Sequence, residues 1–269
     1  MTALAFDDVS CDFVTPAGAT YHAVRSVSFA ATAGAFVAIV GPSGCGKSTL
    51  LNAAAGLRAP TSGRVNIDGV PLTGLNRRAT YMFQQDALLP WKNVRENVGL
   101  GLILAGSSRS EAHRRADDWL ARVGLAAFAL HYPAQLSGGM RKRVAMAQNW
   151  VLGRPILLMD EPFSALDVHT RQRMETELLS LWDEGASRRT VLFVTHDLEE
   201  AIALADEVVV LSSGPASHVV ARYSVPLERP RDLLELRTSA AFVDLYKATW
   251  SVLREEVIKS QAGETPRAG

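Results

Sequence analysis

The sequence predicts an α/β fold: a largely parallel sheet with a helical lobe inserted between its strands. Three observations carry this. Continuous apolar runs at 36–40, 156–159 and 191–194 have the length of strands buried on both faces, as a parallel sheet requires. The first run passes directly into a glycine-rich loop and then a helical segment. Between the first and second runs, residues 94–152 alternate charged helical segments with Gly- and Pro-containing breaks.

Taken in order, Phe36-Val37-Ala38-Ile39-Val40 is a strand that leads into Gly41-Pro42-Ser43-Gly44-Cys45-Gly46-Lys47-Ser48-Thr49. A helix continues from Thr49 through Ala55 and is ended by Gly56. Residues 65–68, followed by Gly69, read as an edge hairpin element, and 79–84 as another short strand. The lobe at 94–152 contains the charged helix 109–123. Strands return at 156–159, closed by Asp160-Glu161, and at 191–194, closed by Thr195-His196-Asp197. A short helix across Leu198–Leu204 precedes a strand at Glu207–Leu211. Near the end, Phe242, Tyr246, Trp250, Leu253 and Val257 recur at spacings of four and three, an apolar helical face expected to pack on its own domain. The stretch from Lys259 onward reads as a frayed tail.

Composition bounds the function classes. The 269 residues are 48% hydrophobic, enough for a real core. Lys+Arg and Asp+Glu both number 28, so a net charge of zero gives no global attraction for nucleic acid or anionic lipid, and no nucleic-acid partner is expected. The 2 cysteines, Cys11 and Cys45, make no disulfide framework and point to a reducing, cytosolic compartment. The first residues include Asp7 and Asp8 and lack the basic start of a secretory signal. The apolar runs are strand-sized, far short of the roughly 20 residues a spanning helix needs. The expectation is a soluble chain, with any membrane spans supplied by a partner.

The pattern Gly41-x4-Gly46-Lys47-Ser48 places small residues where backbone N–H groups must converge on phosphate oxygens. Lys47 reaches terminal phosphates, the Ser48 hydroxyl can ligate Mg²⁺, and the helix that starts there directs its positive end at the anion. Chance produces this pattern about once per hundred chains of this length, and its strand-loop-helix context lowers that further. Asp160, at the end of a buried strand, can face the loop and hold Mg²⁺, while Glu161 can orient or deprotonate an attacking water. Standing alone, the same Asp-Glu pair would read as a helix cap. His196 has two readings, a γ-phosphate contact or a hydrogen-bonded structural histidine. Ser137-Gly138-Gly139, opening a helix, is either a second anion site or a plain N-cap.

With these residues in place, the chain resembles an ATP-binding subunit of an ATP-binding-cassette (ABC) transporter from about Leu4 to Leu211. Six motifs occur in the family's order: Walker A at 41–49, a Q-loop in Phe83-Gln84-Gln85, and the signature Leu136-Ser137-Gly138-Gly139-Met140. Walker B at 156–161, the D-loop Ser164-Ala165-Leu166-Asp167 and the switch Thr195-His196-Asp197 follow. The resemblance implies a P-loop NTPase (RecA-like) core with an antiparallel β subdomain and a helical subdomain inserted at about 86–153. The ATPase domain would span 1–230, followed by a C-terminal helical segment at 231–258 and a disordered tail at 259–269. It implies a head-to-tail homodimer with ATP held between Walker A of one copy and Ser137, Gly138 and Gly139 of the other. Glu161 is then the catalytic base and His196 the γ-phosphate sensor. Ser48, Gln84 and Asp160 attend Mg²⁺, Gln84 couples that site to the helical lobe, and Asp167 acts across the dimer. Phe13, or else Tyr21, stacks on adenine.

A narrower resemblance concerns cargo. Leu88-Leu89-Pro90-Trp91-Lys92-Asn93-Val94, the Met140 signature, and the stretch from Val225-Pro226-Leu227 to Arg231-Asp232 are similar to the nitrate/sulfonate/taurine importers. This implies ATP-driven uptake of a small anion through a separate permease fed by a solute-binding protein. The chain would sit peripherally on the cytoplasmic face of the inner membrane. Two departures stand out: Met140 where Gln is commonest, and Gln148-Asn149 where many relatives carry Arg-Ala. A cassette ATPase outside transport would share all six motifs, whereas a P-loop kinase or GTPase would share Walker A alone.

Overall fold

A computed structural model describes residues 1–16, 18–184 and 188–263. Two sheets form it. β3 (Phe36–Val40), β6 (Ala79–Met82), β7 (Ile156–Asp160), β8 (Thr190–Val194) and β9 (Glu207–Leu211) run parallel, and β10 (Val219–Ser224) adds antiparallel to β9. The spatial order is β10-β9-β3-β8-β7-β6. The second sheet is antiparallel, order β2-β1-β4-β5, from β1 (Thr2–Val14), β2 (Thr20–Thr32), β4 (Ser62–Ile67) and β5 (Val70–Pro71). The expected edge hairpin at 65–68 is present: β4 turns at Asp68-Gly69 into β5, which is the edge strand, while β4 itself also pairs with β1.

Both faces of the parallel sheet are covered, which is why its strands carry no polar alternation. Phe36, Ala38 and Val40 enter one core with Trp182 of α5 (Val168–Asp183) and Ile202 of α6 (Leu198–Leu204). Val37 and Ile39 enter another with Leu50 and Leu51 of α1 (Lys47–Ala55) and the inner face of the antiparallel sheet. The helical subdomain has its own core. Val94, Val98 and Leu102 of α2 (Val94–Leu104) meet Ala112, Ala116 and Leu120 of α3 (Arg109–Arg122), and Val144, Ala147 and Val151 along α4 (Gly138–Trp150) and its end. Spacings of three and four keep each set on one helix face.

Beyond β10, α7 (Leu233–Leu236) leads to α8 (Ala240–Gly263). Phe242 and Leu253 are buried in the core with Tyr246 and Val257 packed beside them, whereas Trp250 is 40% exposed and stacks on Tyr246. The apolar face of α8 therefore packs on its own chain, one residue excepted. The frayed tail expected from Lys259 is corrected in part: α8 runs to Gly263, with Lys259 paired to Glu256, and 264–269 lie outside the described residues. No described helix is long and apolar enough to cross a membrane.

Candidate active site

α2 to α7 each begin at a side-chain cap: Asn93, Ser108, Ser137, Asp167, Asp197 and Asp232. α1 begins at Gly46 with none. Its leading N–H groups are thus left for a ligand, and the helix dipole favours an anion there. Gly46 has φ +93°, and a Cβ on it would lie 2.5 Å from Val24 Cγ1, so both conformation and space demand glycine. A Cβ at Gly41 would lie 2.7 Å from Cys45 Sγ. Cys45 is buried, its thiol pushed up by burial, and its carbonyl accepts from Ser217 Oγ. Lys47 is 5% exposed, and its ammonium donates to the Gly41 carbonyl (2.9 Å) and the Pro42 carbonyl (3.0 Å). Its charge is held in the hollow of the loop, with Ser43 and Gly44 at the rim.

Ser48, the second residue of α1, donates from Oγ to Asp160 Oδ1 (2.9 Å) at the end of β7. Tyr81 donates to Asp160 Oδ2 (3.2 Å), a partner that the local sequence pattern does not reveal because it depends on β6–β7 pairing. Burial raises the Asp160 pKa, and neighbouring Glu161 adds to it, while the Ser48 and Tyr81 hydrogen bonds and Lys47 oppose it. Two hard oxygen donors, one an anion uncomfortable in its burial, beside a phosphate-type loop fit Mg²⁺.

Glu161 follows with φ +42°, unusual for a residue bearing a side chain, and its N–H donates to the Val194 carbonyl (2.9 Å). That bond fixes the end of β7 against the end of β8. Glu161 Oε2 and His196 Nδ1 lie 2.9 Å apart, so the two strand-end residues meet. Gln84 Nε2 donates to Ser164 Oγ (3.3 Å), and Ser164 Oγ donates to the Glu161 carbonyl (3.0 Å). Gln84 is thus joined to the Glu161 backbone through Ser164, while Ser48 and Asp160 hydrogen-bond each other without it. Thr49 continues α1 into its first turn.

The adenine candidates sit side by side, since Phe13 and Tyr21 are cross-strand partners. The Arg58 guanidinium covers one face of Phe13 at 3.6 Å from the ring centroid. Tyr21 lies close to the phosphate loop: a Cβ on Gly214 would stand 3.5 Å from both the Tyr21 hydroxyl and the Gly44 carbonyl.

Ser137, Gly138 and Gly139 form an exposed to half-exposed turn away from these groups. Ser137 Oγ accepts from the Met140 N–H (3.3 Å), and no hydrogen bond among the described residues joins this turn to 41–49. A Cβ on Gly139 would lie 2.8 Å from Thr170 Cγ2, in the first turn of α5. The same turn of α5 is capped by Asp167, whose carboxylate accepts from the Thr170 N–H (3.0 Å), a bond that lowers its pKa. Signature and D-loop therefore abut within one chain, while the Walker A loop stands apart from both.

This arrangement of phosphate loop, strand-end carboxylates, histidine and a separate serine-glycine turn defines a nucleotide-hydrolysing cassette. Residues 24–164 match the family described as ABC transporter. Nitrate import ATP-binding protein NrtD of Synechococcus elongatus is 42% identical over 231 residues, 85% of this chain and 83% of that protein. Taurine import ATP-binding protein TauB of Rhizobium johnstonii is 42% identical over 264 residues, 96% of this chain and 100% of that protein. The dimeric structure of MJ0796, a bacterial ABC transporter cassette, matches with TM-score 0.73 and 33% identity, over 84% of this chain and 100% of that one. A post-hydrolysis state of MJ0796 bound to ADP and Pi matches at TM-score 0.72 with the same identity and coverage. The chain belongs to the ABC transporter family and is one of its ATP-binding, ATP-hydrolysing subunits.

Proposed function

We propose that the chain energises an importer for a small anion of the nitrate, sulfonate or taurine kind, working as a homodimer beneath a separate permease. A solute-binding protein delivers the cargo, and the chain sits on the cytoplasmic face of the inner membrane. Residues 41–49 cradle the phosphates, with Lys47 on the terminal ones, and Phe13 or Tyr21 stacks on adenine. Ser48, Asp160 and Gln84 hold Mg²⁺, which when bound offsets charge on the phosphates. Glu161 orients and deprotonates water, His196 holds Glu161 and senses the γ-phosphate, and Asp167 reports across the dimer. The observation that supports this best is the Glu161–His196 contact at 2.9 Å beside the Ser48–Asp160 pair, also at 2.9 Å. A base, its partner and the metal donors stand together at adjoining strand ends. The support for a second copy is the separation of the Ser137 turn from the phosphate loop, which leaves each without half of a complete site.

In an ATPase assay on the purified chain, Glu161→Gln should lower turnover by about 100-fold or more while leaving ATP affinity intact. Wild-type turnover by that variant would remove Glu161 from the role of base.

A further inference from the structure

α4 opens with Arg141-Lys142-Arg143 in its first two turns, where the helix dipole disfavours cations. Each is answered by an acid: Arg143 by Glu177 of α5 (3.2 Å), Arg141 and Lys142 by one carboxylate, Asp86 (both 3.1 Å). Lys142 is only 3% exposed, and a buried ammonium survives only when its donors are met. It is met by a hydrogen bond to the Gln84 carbonyl (2.6 Å) and by the charge of Asp86, whose Oδ1 lies 3.1 Å away. Arg141 reaches back from the same point to the Leu136 carbonyl (2.8 Å), at the start of the signature turn. A cleft joins these groups to the D-loop, with Gln84, Asp86, Gly138, Lys142, Ser164 and Leu166 on its walls.

We infer that Lys142 and Asp86 are a clamp that makes Gln84 and the Ser137 turn move as one body. The inference rests on the dimer reading above and deepens it. Gln84 answers to the nucleotide site of its own chain, whereas Ser137 serves the site of the partner. The clamp therefore transmits occupancy of one site to the geometry of the other. Lys142 is a positioning residue, since it acts through Gln84 and the turn. ATP binding by a single chain uses 41–49 and is indifferent to it; turnover, which needs the partner's turn in place, is not.

The test is kcat and ATP affinity of the full chain for Lys142→Met, Asp86→Asn and the double variant. Methionine keeps the buried stem and removes the ammonium. The expected result is a kcat lower by about tenfold, an ATP Kd within about twofold of wild type, and a double variant no slower than Lys142→Met. Unchanged kcat overturns the clamp. A Kd that rises in step with the loss of kcat also overturns it, by showing a role in binding or in the general fold. Multiplicative losses in the double variant would show two independent contacts. If melting shows Lys142→Met unfolded, Asp86→Asn, at a partly exposed partner, decides by the same two numbers. A wild-type chain without ATPase activity would instead contradict the function, a separate failure.

Discussion

Glu200 carries the largest consequence at the scale of single residues. It is 3% exposed, accepts from Thr195 Oγ1 (2.7 Å), and lies 3.5 Å from Arg171 Nε. Burial pushes its pKa up to about 7, with Asp197 and Glu175 adding and the Thr195 bond and Arg171 opposing. The folded chain thus holds a proton that the unfolded chain releases near pH 4.5. Folding takes up that proton between the two values, so this group's contribution to stability falls as pH climbs through the window and is lowest above pH 7. Glu200→Gln should therefore melt at nearly the wild-type temperature near pH 5, and should lose less stability than wild type between pH 6 and 8. Thermal unfolding at a series of pH values checks it; an unchanged slope would place the proton elsewhere.

Residue types at the site were legible because phosphate chemistry demands them at fixed spacing, and the structure pairs Lys47 with the Gly41 carbonyl, Ser48 with Asp160 and Glu161 with His196. Tyr81, Ser164 and Lys142 were not legible. Each acquires its role from a partner 58 to 80 positions away, set by strand pairing or helix packing that no local pattern encodes. Arg58 over Phe13 is hidden for the same reason.

Among the elements, the turn before α2 shows how one buried polar residue shapes a surface. Asn97 is fully buried; its Oδ1 accepts from the Leu89 N–H (2.8 Å), and its Nδ2 donates to the carbonyls of Leu89, Lys92 and Asn93 (3.0–3.1 Å). This folds Leu89-Pro90-Trp91-Lys92 into a compact turn that leaves Trp91 71% exposed. Asn97→Ala strands the Leu89 amide and the Lys92 carbonyl, while the Leu89 and Asn93 carbonyls keep the Lys92 and Asn97 N–H groups, and it should cost roughly 2–4 kcal/mol in chemical denaturation. A loss below about 0.5 kcal/mol would show the turn holding without it. The strands Phe36–Val40 and Glu207–Leu211 and the helix Leu198–Leu204 were readable, since continuous apolar runs and a cap mark their ends. The long hairpin of β1 and β2 was not, because its polar and apolar residues follow register shifts at four places rather than a clean alternation. The place of β4 inside its sheet is likewise a matter of long-range pairing with β1.

For the molecule as a whole, the feature that matters is a site divided in two. In the proposed function residues 41–49 with Asp160, Glu161 and His196 act on one end of the nucleotide, and the Ser137 turn serves the partner's. α8 ties the C-terminal end to the first half: Glu256 accepts from the Ser213 N–H (2.8 Å), and Ser217 in the same loop donates to the Cys45 carbonyl. Among the described residues no such tie joins the Ser137 turn to the loop, and in the proposed function a second copy of the chain supplies the complement. Sedimentation of the Glu161→Gln variant with and without ATP tests this most directly. The account predicts a monomer of 29.1 kDa without nucleotide and a doubling of mass with ATP, reversed when Ser137 is replaced by a bulky residue. ATP bound at saturation by a chain that stays monomeric would contradict it.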